Sequence, residues 1–246
     1  MRPRVSVVIP VYNEGEAVEW CLDRVLGGVT LPCEILVVYD DPSDSTVPYL
    51  EKFARQESRV LPTLNELGPG PARAIRWGIG QAKAPVVVVT MADGSDDAEQ
   101  IDDLCKLVER GVVVAAASRY MSGGQQIGGP FLKSVLSHTA GLSLHWLARV
   151  GTRDATNSFK AYSTDFIRQV GIESDGGFEI GIELVAKARR LRLPVAELPT
   201  IWLQRSWGSS NFRVAAWMGR YLHWYRFAFG PQLRPEQLRA DSRERR

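Results

Sequence analysis

The sequence predicts an α/β fold in which a mostly parallel central sheet is covered by helices on both faces. Two observations predict it. Short, almost wholly apolar runs rich in Val and Ile alternate with longer segments whose apolar residues recur every three to four positions. Strands buried on both faces read as such continuous runs, and the helices that cover them read as one-sided stripes. The apolar runs also end in polar, often acidic, residues, which is where ligands sit in open sheets of this class.

The elements follow in order. Residues 5–9 form a β-branched run that Pro10 ends. Residues 14–26 carry Val18, Cys21, Leu22 and Val25 at helical spacing. A second buried strand covers 34–39, and helices are expected over 45–55 and over 72–82, the latter after a Gly/Pro loop. Residues 86–89 are four valines, the most β-prone run in the chain and the expected centre of the sheet. A helix over 97–110 has Ile101, Leu104 and Val108 on one face, and a strand follows over 112–117. The second half is less regular. Gly123-Gly124 and Gly128-Gly129-Pro130 mark a loop. Helices are then expected over 131–150 and 178–191, strands over 155–162 and 195–203, and a helix rich in Trp, Tyr and Arg over 211–229. No internal repeat and no long linker is evident. The domain reading is one catalytic domain over 1–212, an amphipathic element over 213–230, and a charged tail over 231–246 expected to be disordered.

With 246 residues, 45% hydrophobic and 24% charged, the chain is large enough for a full core. Its net charge of +2 hides an asymmetry: residues 1–123 hold 12 Lys/Arg against 18 Asp/Glu, and residues 124–246 hold 18 against 10. An acidic half suits a metal ion, and a basic half suits phosphate or a membrane surface. Three cysteines without CxxC spacing argue against a disulfide framework or a zinc site and suit a reducing compartment. No signal peptide is expected, since Arg2 and Arg4 precede only a short apolar run, and no stretch is long enough to span a membrane. A nucleotide-binding dehydrogenase is not expected, because Val11-Tyr12-Asn13-Glu14, not a glycine-rich turn, follows the first strand.

The strand ends hold the candidate chemistry: Pro10 to Glu14, Asp40 to Asp44, Thr90 to Asp97, and Ser118-Arg119-Tyr120. Carboxylates brought together repel one another, and a cation is the simplest relief. Asp93, after the most buried strand, is the expected ligand for Mg²⁺ or Mn²⁺, which use one or two carboxylates plus substrate phosphates. Asp40 or Asp41 is expected to accept hydrogen bonds from a base or ribose, against the plainer reading of a turn with helix caps.

Seven segments taken in order make a resemblance specific. Pro10-Val11-Tyr12-Asn13-Glu14, Val38-Tyr39-Asp40-Asp41-Pro42-Ser43 and Met91-Ala92-Asp93 resemble the successive signatures of family 2 glycosyltransferases with the GT-A fold. Ser118-Arg119-Tyr120 with Gly123-Gly124, the run Asp154 to Lys160, Glu183 on its helix, and Arg205 with Gly208 and Ser210 resemble the polyprenyl-phosphate mannosyltransferase branch, so the likeness runs from about residue 5 to 212. The resemblance implies inverting transfer of a hexosyl group from GDP-mannose, or a donor such as UDP-glucose, to a polyprenyl phosphate. It implies that Pro10, Tyr12, Glu14 and Asp41 line the nucleotide pocket, flanked by Asn65 and the loop ending at Gly70. Ala92 and Asp93 would meet the diphosphate, with Asp93 on the metal; Arg119 and Lys133 would hold phosphate, and Arg205 would close over the donor.

The chain departs from that pattern. Met91 replaces the first acid of the metal motif, Ser95 stands where Gln is usual, and Asp96 and Asp97 follow. Lys160 replaces an Arg, Asn157-Ser158 replaces a smaller pair, and Asn211 stands at a common Lys. An acceptor phosphate is already anionic near neutral pH and needs cations rather than a base, whereas a sugar hydroxyl needs a base. Arg119, Lys133, Arg205 and the cluster Lys187, Arg189, Arg190, Arg192 suit the former; Asp96 or Asp97 is the expected base for the alternative, a soluble or polysaccharide hydroxyl. A non-catalytic nucleotide-sugar binder is the third reading, motivated by Met91. His138 and His145, seven apart, are expected to be packed or exposed. The aromatic and arginine-rich 212–229 segment is expected at a membrane interface, on the domain itself, or against a membrane subunit or second copy. The protein is expected in the cytoplasm, peripheral at the membrane face, with no nucleic-acid partner.

Overall fold

The computed structural model describes residues 2–204 and 214–238, with the backbone alone at 132, 133 and 214–217. In chain order the elements are β1 (Val5–Pro10), α1 (Ala17–Gly28), β2 (Cys33–Tyr39), α2 (Val47–Ala54), β3 (Val60–Leu64), α3 (Pro71–Gln81), β4 (Val86–Val89), α4 (Ile101–Glu109), β5 (Val114–Ser118) and β6 (Gln125–Ile127). They continue with α5 (Phe131–Ser143), β7 (Lys160–Ser163), α6 (Thr164–Val170), α7 (Ile180–Arg190), β8 (Val195–Pro199), β9 (Ile201–Leu203) and α8 (Val214–Ala228). Seven strands form one sheet in the order β3-β2-β1-β4-β7-β5-β8, and β6 pairs with β9 in a small parallel ribbon.

Alternate residues of the strands feed two cores. Val5, Val7 and Ile9 of β1 pack with α1 and α4, while Val8 faces α3, α7 and α8 on the other side. All six residues of β1 and all four of β4 are buried, as their unbroken apolar character requires. The expected α/β architecture with a mostly parallel sheet is therefore observed.

One strand runs the other way. β7 is antiparallel to both neighbours, with Lys160 opposite Val89 of β4 and Ala116 of β5. Its N-terminal end thus lies at the edge where its neighbours have their C-terminal ends. The loop that precedes it, residues 151–159, is delivered to the functional edge instead of the opposite one.

Several boundaries differ from expectation. The expected strand over 155–162 shrinks to β7 because residues 154–158 are engaged in side-chain hydrogen bonds rather than in a ladder. The expected strand over 195–203 divides at Thr200, whose N–H bonds the Ser118 carbonyl, so that β9 leaves the main sheet to pair with β6. The helix expected over 131–150 ends in a π-helical turn at Leu144–Ala148. β3 and α6 were not expected from the periodicity: β3 is a five-residue edge strand containing Pro62, and α6 a seven-residue helix.

The C-terminal region also differs. Trp224, only 5% exposed, Phe227 and Ala228 sit in the core beside α7, and Tyr221 and Tyr225 pack against it. Most of the aromatic side of α8 is therefore spent on the domain itself. Residues 231–238 pack on the domain: Leu233 N–H bonds the Arg190 carbonyl, and Leu238 is buried. The rest of the tail, 239–246, lies outside the described residues. No helix among the described residues is long and apolar enough to cross a membrane.

Candidate active site

The ends of β1 and β2 are stitched together. Asn13 takes a left-handed backbone, φ 54°, and its N–H bonds Asp44 at 2.9 Å. Its side-chain oxygen accepts from Ser45 N–H, and Glu14 N–H bonds the buried Thr46 hydroxyl at 3.0 Å. These contacts fix the turn that carries Pro10, Tyr12 and Glu14. Tyr12 is exposed at its rim.

Asp40, Asn65 and Gly70 come together, but largely to hold one another. Asp40 accepts from Asn65 Nδ2 at 2.7 Å through one oxygen and from Gly70 N–H at 2.8 Å through the other. Asn65 also bonds the Gly68 carbonyl and accepts from Leu67 N–H. Gly70, at φ 128°, supplies a conformation that side chains rarely adopt. The three brace a wall beyond the ends of β2 and β3, and their polar atoms are mostly consumed in doing so. Asp41 differs: one oxygen takes the Ser43 N–H and hydroxyl, both at 2.7 Å, which hold its carboxyl below the usual range, and the residue is exposed. Of the adjacent pair, Asp41 is the one whose second oxygen accepts no hydrogen bond among the described residues.

The acidic turn after β4 is held from three sides. Asp93 accepts from Ser95 N–H at 3.1 Å, closing a tight turn. Gly94 has φ 66°, its carbonyl accepts from Arg24 at 2.9 Å, and Arg24 stacks on Trp20 at 5.0 Å. From β9, Leu203 N–H bonds the Ser95 carbonyl. A methyl group on Gly94 would lie 2.1 Å from the Trp20 ring. Gly94→Ala is therefore expected to lower stability by about 1–3 kcal/mol, read as a shifted urea midpoint.

Asp96 returns to the strand end. Its Oδ2 accepts from the Thr90 hydroxyl at 3.0 Å and Met91 N–H at 3.2 Å. Burial, and then the charge of Asp93, push its carboxyl up to about 7. Asp97 instead caps the short 3-10 turn Ala98–Gln100 through Glu99 N–H. Among the described residues no three His, Cys, Asp or Glu form a metal cage. The residues fit an ion that takes one or two carboxylates here and its other ligands from phosphate and water.

Across the edge, Arg119 is held by Asp154. The guanidinium forks onto the carboxylate with bonds of 2.7 and 2.9 Å, and Arg119 N–H adds a third at 3.1 Å. Asp154 is fully buried, and Arg119 is 10% exposed. Burial opposes both charges, but each partner more than offsets it, so Asp154 is lowered and Arg119 raised from their ordinary values. The remaining Arg119 N–H groups point to Ser137 at 3.3 Å and Gln126 at 3.5 Å, and the cation lies over Tyr120 at 4.9 Å. Behind them Lys160 is buried, bonds the Asn157 carbonyl, and is pushed down to about 8 by burial. His138 stacks on Tyr120 at 4.7 Å and is itself exposed, in line with a packed or surface role.

Lys133 stands in the first turn of α5, four residues from Ser137, but its side chain lies outside the described residues, as does all of Arg205. Sequence reasoning did not place Asp154, Ser137, Gln126 or Lys160 in the site. Asp154 was visible only as part of a motif, and nothing local to it signals a partner 35 residues away.

The glycosyl transferase family 2 model matches residues 6–168. The chain is 30% identical over 233 residues to the polyprenol monophosphomannose synthase of Mycolicibacterium smegmatis, covering 87% of this chain and 86% of that protein. It is 27% identical over 214 residues to the undecaprenyl-phosphate mannosyltransferase of Micrococcus luteus, covering 85% and 87%. Among solved structures, the mannosyltransferase of Pyrobaculum calidifontis in complex with GDP-Man and Mn²⁺ superposes with a TM-score of 0.63 at 19% identity, over 98% of this chain and 70% of that one. That likeness is one of fold, the GT-A fold.

Proposed function

We propose, from the premise that this chain belongs to glycosyl transferase family 2 and is a glycosyltransferase, that it moves a mannosyl or related hexosyl group from a nucleotide donor to a polyprenyl phosphate with inversion. The observation that carries the reading is the buried Arg119–Asp154 fork, set across the sheet edge from the acidic turn. It presents a fixed cation where the other substrate must approach. The names of the two bacterial relatives and the Mn²⁺ and GDP-Man of the archaeal structure support the same substrates.

In this reading the β1 and β2 turns hold the nucleoside through Tyr12, Glu14 and Asp41. Asp93 lies at the diphosphate, and a bound Mg²⁺ or Mn²⁺ would neutralise charge there as the bond breaks. Arg119, with Lys133 and Arg205, holds the acceptor phosphate. An acceptor oxygen bonds to the anomeric carbon as the bond from that carbon to the diphosphate oxygen breaks, from the opposite face. Because that oxygen is already anionic, no protein base has to remove a proton. Asp154 keeps Arg119 aimed and charged.

A lipid acceptor brings the protein to a membrane surface. Apolar side chains open for that contact include Phe131, 82% exposed, and Ile127, Ile201 and Leu203 of the ribbon, as well as Met218 and Leu222 of α8. Free buried Cys21, Cys33 and Cys105 suit the cytoplasmic side. The test supplies labelled nucleotide-sugar and polyprenyl phosphate and measures label in the organic phase. A labelled lipid dependent on both is expected; donor consumption that continues without lipid phosphate, with no lipid product from any common donor, overturns the reading.

A further inference from the structure

We infer that Asp96 supplies the carboxylate that Met91 lacks, so that Asp93 and Asp96 together hold the divalent cation of the donor site. This rests on the reading above that the site takes a nucleoside diphosphate and a divalent ion.

A thioether is a poor ligand for Mg²⁺ or Mn²⁺, which select oxygen. Met91 therefore cannot serve as the first acid of the metal motif. The chain compensates by its path. The Asp93–Ser95 turn and the left-handed Gly94 reverse the backbone within three residues. Asp96 is thereby returned to the end of β4, where its Oδ2 accepts from the N–H of Met91 itself and from Thr90. Its carboxylate is anchored at the residue whose side chain would otherwise have carried one.

The second oxygen points to a ligand. Asp96 is 7% exposed, and its Oδ1 accepts no hydrogen bond among the described residues. That oxygen is not one of the buried unpartnered side-chain atoms among the described residues, so it reaches solvent, where an ion can meet it. A purely structural acceptor for Thr90 and Met91 needs no charge at all, because an Asn oxygen accepts both bonds equally well. What the hydrogen bonds leave unexplained is the negative charge. Asp93 stands close enough to repel it, and the cations facing it, Arg119 and Lys160, form their bonds elsewhere, to Asp154 and to the Asn157 carbonyl. A cation between Asp93 and Asp96 would satisfy the open oxygen and the repulsion together.

The test titrates Mn²⁺ into the purified full chain with GDP or UDP present and follows free ion by electron paramagnetic resonance. Asp96→Asn is expected to weaken Mn²⁺ binding at least about ten-fold while its melting temperature without metal stays level or rises. Met91→Asp in the Asp96→Asn background is expected to restore affinity to within about three-fold, and Asp93→Ala to lose binding. Unchanged affinity in Asp96→Asn, with binding lost in Asp93→Ala, overturns the role of Asp96 and leaves the donor-site reading standing. A loss that Met91→Asp does not repair overturns the substitution of one acid for the other. No Mn²⁺ binding by the unmodified protein with either nucleotide, or binding that survives Asp93→Ala, overturns the donor-site reading itself.

Discussion

Arg119→Ala is expected to lower sugar transfer to polyprenyl phosphate by about 10²–10³-fold, the usual cost of one strong donor aimed at the reacting centre. The same change strips a fully buried Asp154 of its partner. Breaking one side of a buried ion pair costs about 3–5 kcal/mol of stability, so activity must be separated from folding. Arg119→Lys keeps the charge and loses the fork that Asp154 accepts. It is expected to fold, to melt lower than the parent, and to retain donor binding while its KM for the lipid phosphate rises. Arg119→Met with Asp154→Asn removes both charges, keeps an acceptor for the backbone N–H groups, and is expected to recover part of the stability and none of the activity. Recovery of activity in that double variant, measured by label in the organic phase, would exclude Arg119 from holding the acceptor.

The second large effect is on stability. Lys187→Met is expected to cost about 3–5 kcal/mol in urea denaturation. Lys187 is fully buried, ion-paired to Glu183 at 2.6 Å and Glu173 at 2.8 Å, and bonded to the carbonyls of Val170 and Gly171. Its ammonium also lies 5.3 Å from the Trp224 ring centre, and Trp224 donates to Ser174 at 3.1 Å. Glu183 meanwhile accepts from the N–H groups of Glu173 and Ser174. One cation thus ties α7, the 171–176 loop and α8 together. A Cβ on Gly70 would meet the Gly176 carbonyl at 3.6 Å, so this loop borders the wall braced by Asp40 and Asn65. Loosening it is expected to weaken nucleotide binding as well as folding, and Lys187→Met with Glu183→Gln, which removes both charges and keeps an acceptor for the loop N–H groups, is expected to regain part of the stability. A single variant as stable as the parent would show that water reaches Glu183.

The run Lys187 to Arg192 shows where sequence patterns mislead. Four basic residues in six suggest a solvated or phosphate-binding face. Lys187 instead neutralises buried acids, Arg189 bonds the carbonyls of Ala148 and Gly230, and Arg190 bonds those of Phe227 and Pro231. A basic side chain reads alike in a sequence whether it meets solvent or the carbonyls of a helix end. The aromatic residues of α8 pose the same ambiguity: period alone marks an apolar face and leaves its partner open.

By itself the sequence determined the alternating architecture, the polar strand ends, and the division between an acidic first half and a basic second half. Those are properties of neighbouring residues, since burial on both faces imposes continuous apolar runs and turns demand particular residues. Tertiary structure alone decided which polar groups meet. The reversed β7 brings Asp154 to Arg119, Asp40 is taken up in holding Asn65 and Gly70, and the turn at Gly94 carries Asp96 back to Met91. Such pairings depend on chain direction and on contacts tens of residues apart, and a buried charge is settled by whichever partner the fold places beside it.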